Sequence, residues 1–93
     1  EDLSAWNGIV TVYPNPSNGE YLYFNIPINT VVKNIELFGM NGQLVQRFTT
    51  ELNSIQGQQQ ELRFIQTLPT GIYILRYEFN GILNEEKLMV QRQ

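Results

Sequence analysis

Very little in this chain could carry covalent or acid–base chemistry. It has no histidine and no cysteine, and its one aspartate, Asp2, stands next to the amino end. Ser4, Ser17 and Ser54 have no base at a spacing that forms a nucleophile motif. Beyond Glu1, the carboxylates are Glu20, Glu36, Glu51, Glu61, Glu78, Glu85 and Glu86. A glycosidase needs two carboxylates facing across a cleft, and residues such as Glu36 and Glu78 read instead as the solvated face of strands. The sequence therefore predicts no enzyme. Calcium would need several oxygens converging in one loop. Asn15, Asn18 and Glu20 are close together, but the prolines between them already mark that loop as a turn, so neither a metal nor a cofactor is expected. The aromatic residues invite a carbohydrate-binding reading. Tyr73, Leu75, Tyr77 and Phe79 share one face of a strand and are expected in the core, which leaves Tyr21 and Tyr23 as the more exposed pair.

The elements that would hold these residues are strands. Apolar residues recur with period two and almost nowhere with helical period. Seven segments follow: Ile9–Tyr13, Tyr21–Ile26, Val31–Phe38, Gln43–Thr50, Gln60–Ile65, Ile72–Phe79 and Asn84–Gln91. In the third, Val31, Ile35 and Leu37 should share a face with Lys33. In the last, Leu88 and Val90 should be buried and Lys87 exposed, on a strand that ends the chain and belongs at a sheet edge. Glu51–Gln59 is polar and aperiodic, and reads as a mobile crossing loop.

Turns are written clearly. Tyr13-Pro14-Asn15-Pro16-Ser17-Asn18-Gly19 cannot continue a sheet ladder, because two prolines remove backbone donors. Four of the seven glycines follow an asparagine. Asn-Gly favours the two-residue type I′ hairpin, so Asn41-Gly42 and Asn80-Gly81 should each join two consecutive strands. Gly71 is expected at positive φ. Short strands with a turn signal about every ten residues predict an all-β, antiparallel, immunoglobulin-like sandwich of about seven strands, Greek-key-like in topology. No cysteine pair exists to staple it.

At 93 residues the chain is sized for one domain, residues 9–93, preceded by a linker remnant over residues 1–8 in which Trp6 could fold back. Net charge is −3 with 16% charged residues, a poor fit to a nucleic-acid partner. No apolar run approaches the roughly 20 residues that span a bilayer. The first residue is Glu1, with no signal-peptide pattern, so the chain reads as a piece of a longer polypeptide.

Four segments in order carry a resemblance: Tyr13–Gly19, then Ile35-Glu36-Leu37-Phe38 with Asn41-Gly42-Gln43-Leu44-Val45, then Leu68-Pro69-Thr70-Gly71-Ile72-Tyr73-Ile74-Leu75, and last Lys87-Leu88-Met89-Val90. Together they resemble the C-terminal sorting domain of the type IX secretion system, type A, over roughly Ile9 to Gln91. Gly39 stands where that family more often carries a polar residue, and the tail Gln91-Arg92-Gln93 is less rich in lysine than many.

The resemblance implies a secretion signal covalently linked to an N-terminal cargo domain in a Gram-negative bacterium. The cargo would cross the periplasm and be recognised by the outer-membrane type IX translocon. A cell-surface signal peptidase would then remove the signal, leaving the cargo at the surface or in the medium. It also implies that Lys87, Leu88, Met89, Val90 and Arg92 contact the translocon, through edge backbone groups and charge, while Pro14, Asn15, Pro16, Gly19, Gly42, Gly71 and Tyr73 set the fold. The competing reading is an immunoglobulin-like or fibronectin-like accessory module that binds glycan or spaces the domains of a secreted enzyme.

Overall fold

Strict alternation gives each strand one apolar face, and two such sheets bury those faces against each other. The computed structural model describes residues 10–53, 55 and 59–92; the expected linker over 1–8, with Trp6, lies outside the described residues. Among the described residues are eight strands: β1 (Thr11–Tyr13), β2 (Tyr21–Asn25), β3 (Val31–Gly39), β4 (Leu44–Phe48), β5 (Leu52–Asn53), β6 (Gln59–Arg63), β7 (Gly71–Phe79) and β8 (Ile82–Val90). One sheet runs β1-β2-β6; the other runs β4-β3-β7-β8, with β5 also paired to β3. Every strand pair is antiparallel. This is the immunoglobulin-like sandwich that the pattern predicts, with one strand more.

The core is where alternation puts it. Leu22 and Phe24 from β2 meet Leu37, Leu75, Tyr77, Leu88 and Val90 from the opposite sheet, all buried. The Phe24 ring meets Tyr77 edge-on, with centroids 5.7 Å apart, a favoured aromatic geometry. Phe79 packs against this core from its margin.

Three local expectations fail for stated reasons. Val31 is exposed and Val32 fully buried, because Asn34 takes φ 54° and the pairing with β7 slips between Lys33 and Glu36. That extra residue is a bulge, and it inverts the face of everything before it. Glu51–Gln59 is not wholly a loop: Leu52 and Asn53 pair with Val32 and Val31, and Leu52 is buried. The β3–β4 turn is not a two-residue hairpin either. Only Gly42 takes positive φ, at 86°; its N–H donates to the Gly39 carbonyl at 3.0 Å, while the Gly39 N–H donates to the Gln43 carbonyl at 2.8 Å. A β-turn followed by one left-handed residue closes this hairpin.

Asn80-Gly81 does behave as read, with φ of 51° and 83° between paired Phe79 and Ile82. Asn80 has a second task. Its N–H donates to the Val31 carbonyl and its Oδ1 accepts from the Val31 N–H, both at 3.0 Å, which ties the hairpin to the start of β3.

Tyr77 brings a hydroxyl into the core and donates it to Glu86 Oε2 on the neighbouring strand. Burial first, then the Glu86 hydrogen bond and charge, pushes this phenol above its ordinary range. In the unfolded chain it would ionise near pH ~10. Between that pH and the raised folded value, the unfolded state has lost a proton that the native state keeps, so stability falls as pH rises. Thermal melts from pH 8 to 11 should therefore show an alkaline loss of stability that is smaller in Tyr77→Phe. Equal slopes in both proteins would contradict this account.

Candidate functional site

Proline deletes the N–H that a strand would use, so the chain between β1 and β2 must satisfy its polar groups elsewhere. It does so on β8. Asn15, held between two cis X–Pro bonds, spans the backbone of that strand with its carboxamide. The Asn15 Nδ2 donates to the Lys87 carbonyl and Oδ1 accepts from the Met89 N–H, both at 3.0 Å. Two residues on, the Ser17 N–H donates to the Met89 carbonyl at 2.8 Å, and the Ser17 carbonyl accepts from the Gln91 N–H at 2.9 Å. A short parallel bridge, Ser17 to Val90, results. The β1–β2 turn thus lies along the outer edge of the other sheet.

Ser17 is almost completely buried, and each of its polar groups is used. Its Oγ accepts from the Gly19 N–H at 3.0 Å and donates to the Tyr21 carbonyl at 3.3 Å. Asn18 repeats the local pattern: its Oδ1 accepts from the Glu20 N–H at 2.9 Å. Side chains that bond the backbone two residues on are the usual turn chemistry of Ser and Asn. The Asn15 and Asn18 oxygens, candidates for an ion in the sequence, serve backbone donors instead.

Gly19 joins the third motif. Its φ is 87°, and a β-carbon there would sit 2.7 Å from the Leu68 carbonyl oxygen and 3.1 Å from Val90 Cγ1. The Gly19 carbonyl accepts from the Leu68 N–H at 2.9 Å. From Leu68 the chain turns into β7, where the buried Tyr73 donates its hydroxyl to the Pro69 carbonyl at 2.7 Å. A tyrosine near the start of this strand, bonded to backbone a few residues upstream, is the tyrosine corner of immunoglobulin-like sandwiches. Thr70 Oγ1 accepts from the Arg92 N–H at 3.1 Å, which fixes the chain just past β8.

Of the residues singled out in the sequence, Asn15, Gly19, Tyr73, Lys87, Met89, Val90 and Arg92 meet at this corner. Pro14 and Pro16 face solvent beside it. Gly42 lies on the β3–β4 connection, with nothing within 4 Å of the place of its β-carbon. Gly71 is not at positive φ, and a β-carbon there would make only ordinary contact, 3.8 Å from Tyr73 Cε1. Ser17, Leu68 and Thr70 lie within the motif segments, but the sequence reading gave none of them a role of its own.

The terminal motif divides by the pleat of its strand. Leu88 and Val90 are buried, whereas Lys87 and Met89 are exposed. The strand is at a sheet edge, as expected, but the edge groups of Lys87 (carbonyl), Met89 and Gln91 (N–H) are already bonded to Asn15 and Ser17.

The opposite face of the molecule holds a tyrosine ladder. Tyr13, Tyr23 and Tyr21 stand at successive centroid distances of 5.6 and 5.2 Å, with Arg63 5.3 Å above the Tyr21 ring. Their planes tilt by 38° and 57°, so they form no single flat platform for a sugar.

Comparisons with known proteins bear on this corner. The family model described as "Secretion system C-terminal sorting domain" matches residues 11–91, a span that holds all of the motifs that meet here. No curated protein sequence matches. Among solved structures the chain is similar to dimeric latent PorU from Porphyromonas gingivalis, at 24% identity and a TM-score of 0.57, over 90% of this chain and 9% of that one. That likeness shows a shared fold.

Two glycines separate the joint from its surroundings. Gly19→Ala combines left-handed strain with a backbone clash and should cost about 2–3 kcal/mol or more, whereas Gly71→Ala should melt within about 0.5–1 kcal/mol of the parent. Asn15→Ala removes two partly exposed hydrogen bonds and should cost about 1–2 kcal/mol. Denaturant unfolding of the three variants checks the order.

Proposed function

This chain belongs to the family of secretion system C-terminal sorting domains, and on that basis we propose that export reads it as a folded object, through the corner where its motifs meet. As a member it is a sorting signal for type IX secretion, carried by a cargo protein. Its partners on this reading are the outer-membrane translocon, which receives the folded domain, and a cell-surface peptidase, which removes it. The cargo then reaches the surface of a Gram-negative cell or the medium. No catalytic step is asked of the chain itself.

One observation supports reading a fold rather than a linear tail. Within Lys87-Leu88-Met89-Val90, two of the four side chains are in the core and two backbone positions are bonded to Asn15, more than 70 residues earlier. A receptor that contacted all four residues would have to unfold the domain first. A receptor for the native state meets Lys87 and Met89 alone, held in register by the turn. Deleting Lys87–Gln93 would empty the core of Leu88 and Val90, so it would test folding and recognition together.

A cleaner experiment changes the core and leaves the surface alone. A reporter ending in this chain should reach the cell surface of a bacterium with type IX secretion, and the same reporter without it should stay in the periplasm. Leu88→Ser should cost about 2–4 kcal/mol and reduce export in step with the protease-sensitive fraction. Full export of a variant that is unfolded by that measure would overturn the folded-state reading. Export of the reporter without the domain would overturn the sorting role.

A further inference from the structure

The pleat that buries Leu88 and Val90 turns the other half of each motif onto the outer face of the β4-β3-β7-β8 sheet. Register places these residues in adjoining rows. Leu44 pairs with Phe38, Phe38 with Ile74, and Ile74 with Lys87; beside them Ile72 pairs with Met89. Leu44, Ile72 and Met89 are each about 40% exposed or more, large values for apolar side chains that meet across a sheet. Directly opposed residues on one face lie about 4.5–5.5 Å apart at Cβ, so the five apolar residues form one patch with Lys87 at its free edge.

The next row closes the patch with charge that is already neutralised. Arg47 Nε lies 2.9 Å from Glu36 Oε2, and Arg76 reaches Glu85 Oε2 at 2.8 Å. The Arg76 guanidinium also covers the Phe38 ring at 4.8 Å. Lys87 has no such partner among the described residues. An apolar patch beside one uncompensated ammonium fits a surface of matching character: apolar at the centre, with a carboxylate opposite Lys87.

We propose that this face, Leu44, Phe38, Ile74, Ile72, Met89 and Lys87, is where the domain docks on a protein of the export machinery that presents an apolar surface with an acidic residue set against Lys87. The proposal rests on the sorting role and adds the surface and its partner's chemistry. A second copy of the chain is the poorer occupant. A two-fold contact through this patch would need a carboxylate to meet Lys87, and the neighbouring Glu36 and Glu85 are committed to Arg47 and Arg76. An anionic bilayer is poorer still, since the patch carries one lysine and the chain a net charge of −3, which gives little attraction. Strand addition at β8 is restricted too, because Asn15 and Ser17 occupy the edge from the Lys87 carbonyl onward.

The test is surface export of the cargo that carries this chain. Lys87→Glu and Met89→Ser alter exposed edge residues and should lower export at least tenfold while the melting temperature stays within a few degrees. Lys87→Arg should export normally. Leu83→Ser, an exposed apolar change on the same face but outside the patch, should also export normally. Normal export of both Lys87→Glu and Met89→Ser would overturn the docking face. The sorting role would then stand or fall separately, on whether the cargo without the domain is retained. Two further results would also overturn the proposal: a dimer in analytical ultracentrifugation that Lys87→Glu dissolves, or flotation with phosphatidylglycerol vesicles that Lys87→Glu abolishes.

Discussion

An open β-sandwich must do something with its edge strands, whose unpaired backbone groups are a template for any other chain. Here the last strand solves the problem with a side chain. Asn15 has a donor and an acceptor on one planar group, spaced so that it can replace a peptide unit against the Lys87 carbonyl and the Met89 N–H. The Ser17 peptide continues the imitation for one more residue. Much of the corner is tied to that substitution. The turn must lie along β8 for it to form, Gly19 must be left-handed and lack a side chain to pass under Leu68 and Val90, and Ser17 must go into the interior with its hydroxyl satisfied locally. Hydrophobic burial alone does not choose which backbone groups pair along the edge, because it has no direction.

This joint explains why motifs far apart in the chain occur together. The proline turn, the Leu68–Tyr73 corner and the terminal strand are one structure, linked by backbone bonds from Ser17 to Met89 and Gln91 and from Leu68 to Gly19. Each alone is a common fragment. Their value to a sorting signal lies in mutual dependence: Lys87 and Met89 reach a fixed position only when the other two segments are in place. On the proposed folded-state reading, a signal built this way would report that the domain has folded, which a linear tag would not.

Much of the architecture was legible because it depends on local rules. Period-two alternation marked seven of the eight strands, and Asn80-Gly81 adopted the turn its φ preferences require. Several of the misses depend on a partner remote in sequence, while the Asn41-Gly42 turn and Gly71 are local ones. Asn34 looks like any strand residue; that it bulges shows only in the pairing with β7, which slips between Lys33 and Glu36, and in its side chain donating to Glu78. Leu52 is an isolated apolar residue in a polar stretch and becomes a strand only by meeting Val32. Asn15 looked like a turn former between prolines, and nothing local says that its amide would pair with β8. Gly71 was misjudged in the opposite direction, because a glycine beside a turn suggests positive φ where the strand has already begun.

In one row on the outer face of the larger sheet, charges are consumed in pairs: Arg47 with Glu36, Arg76 with Glu85. Exposed pairs of this kind add little to stability, about 0–1 kcal/mol each. Their effect on recognition is larger, because a neutralised charge offers an incoming surface no attraction and exacts a desolvation penalty if covered. The ion-pair row therefore bounds what can dock, and an apolar patch with a single free ammonium remains beyond it. Arg76 strengthens that boundary by lying across Phe38, so the row cannot move without disturbing the patch. On the proposed docking face, specificity would then come from which side chains are left unpaired, and among the described residues Lys87 is one of them.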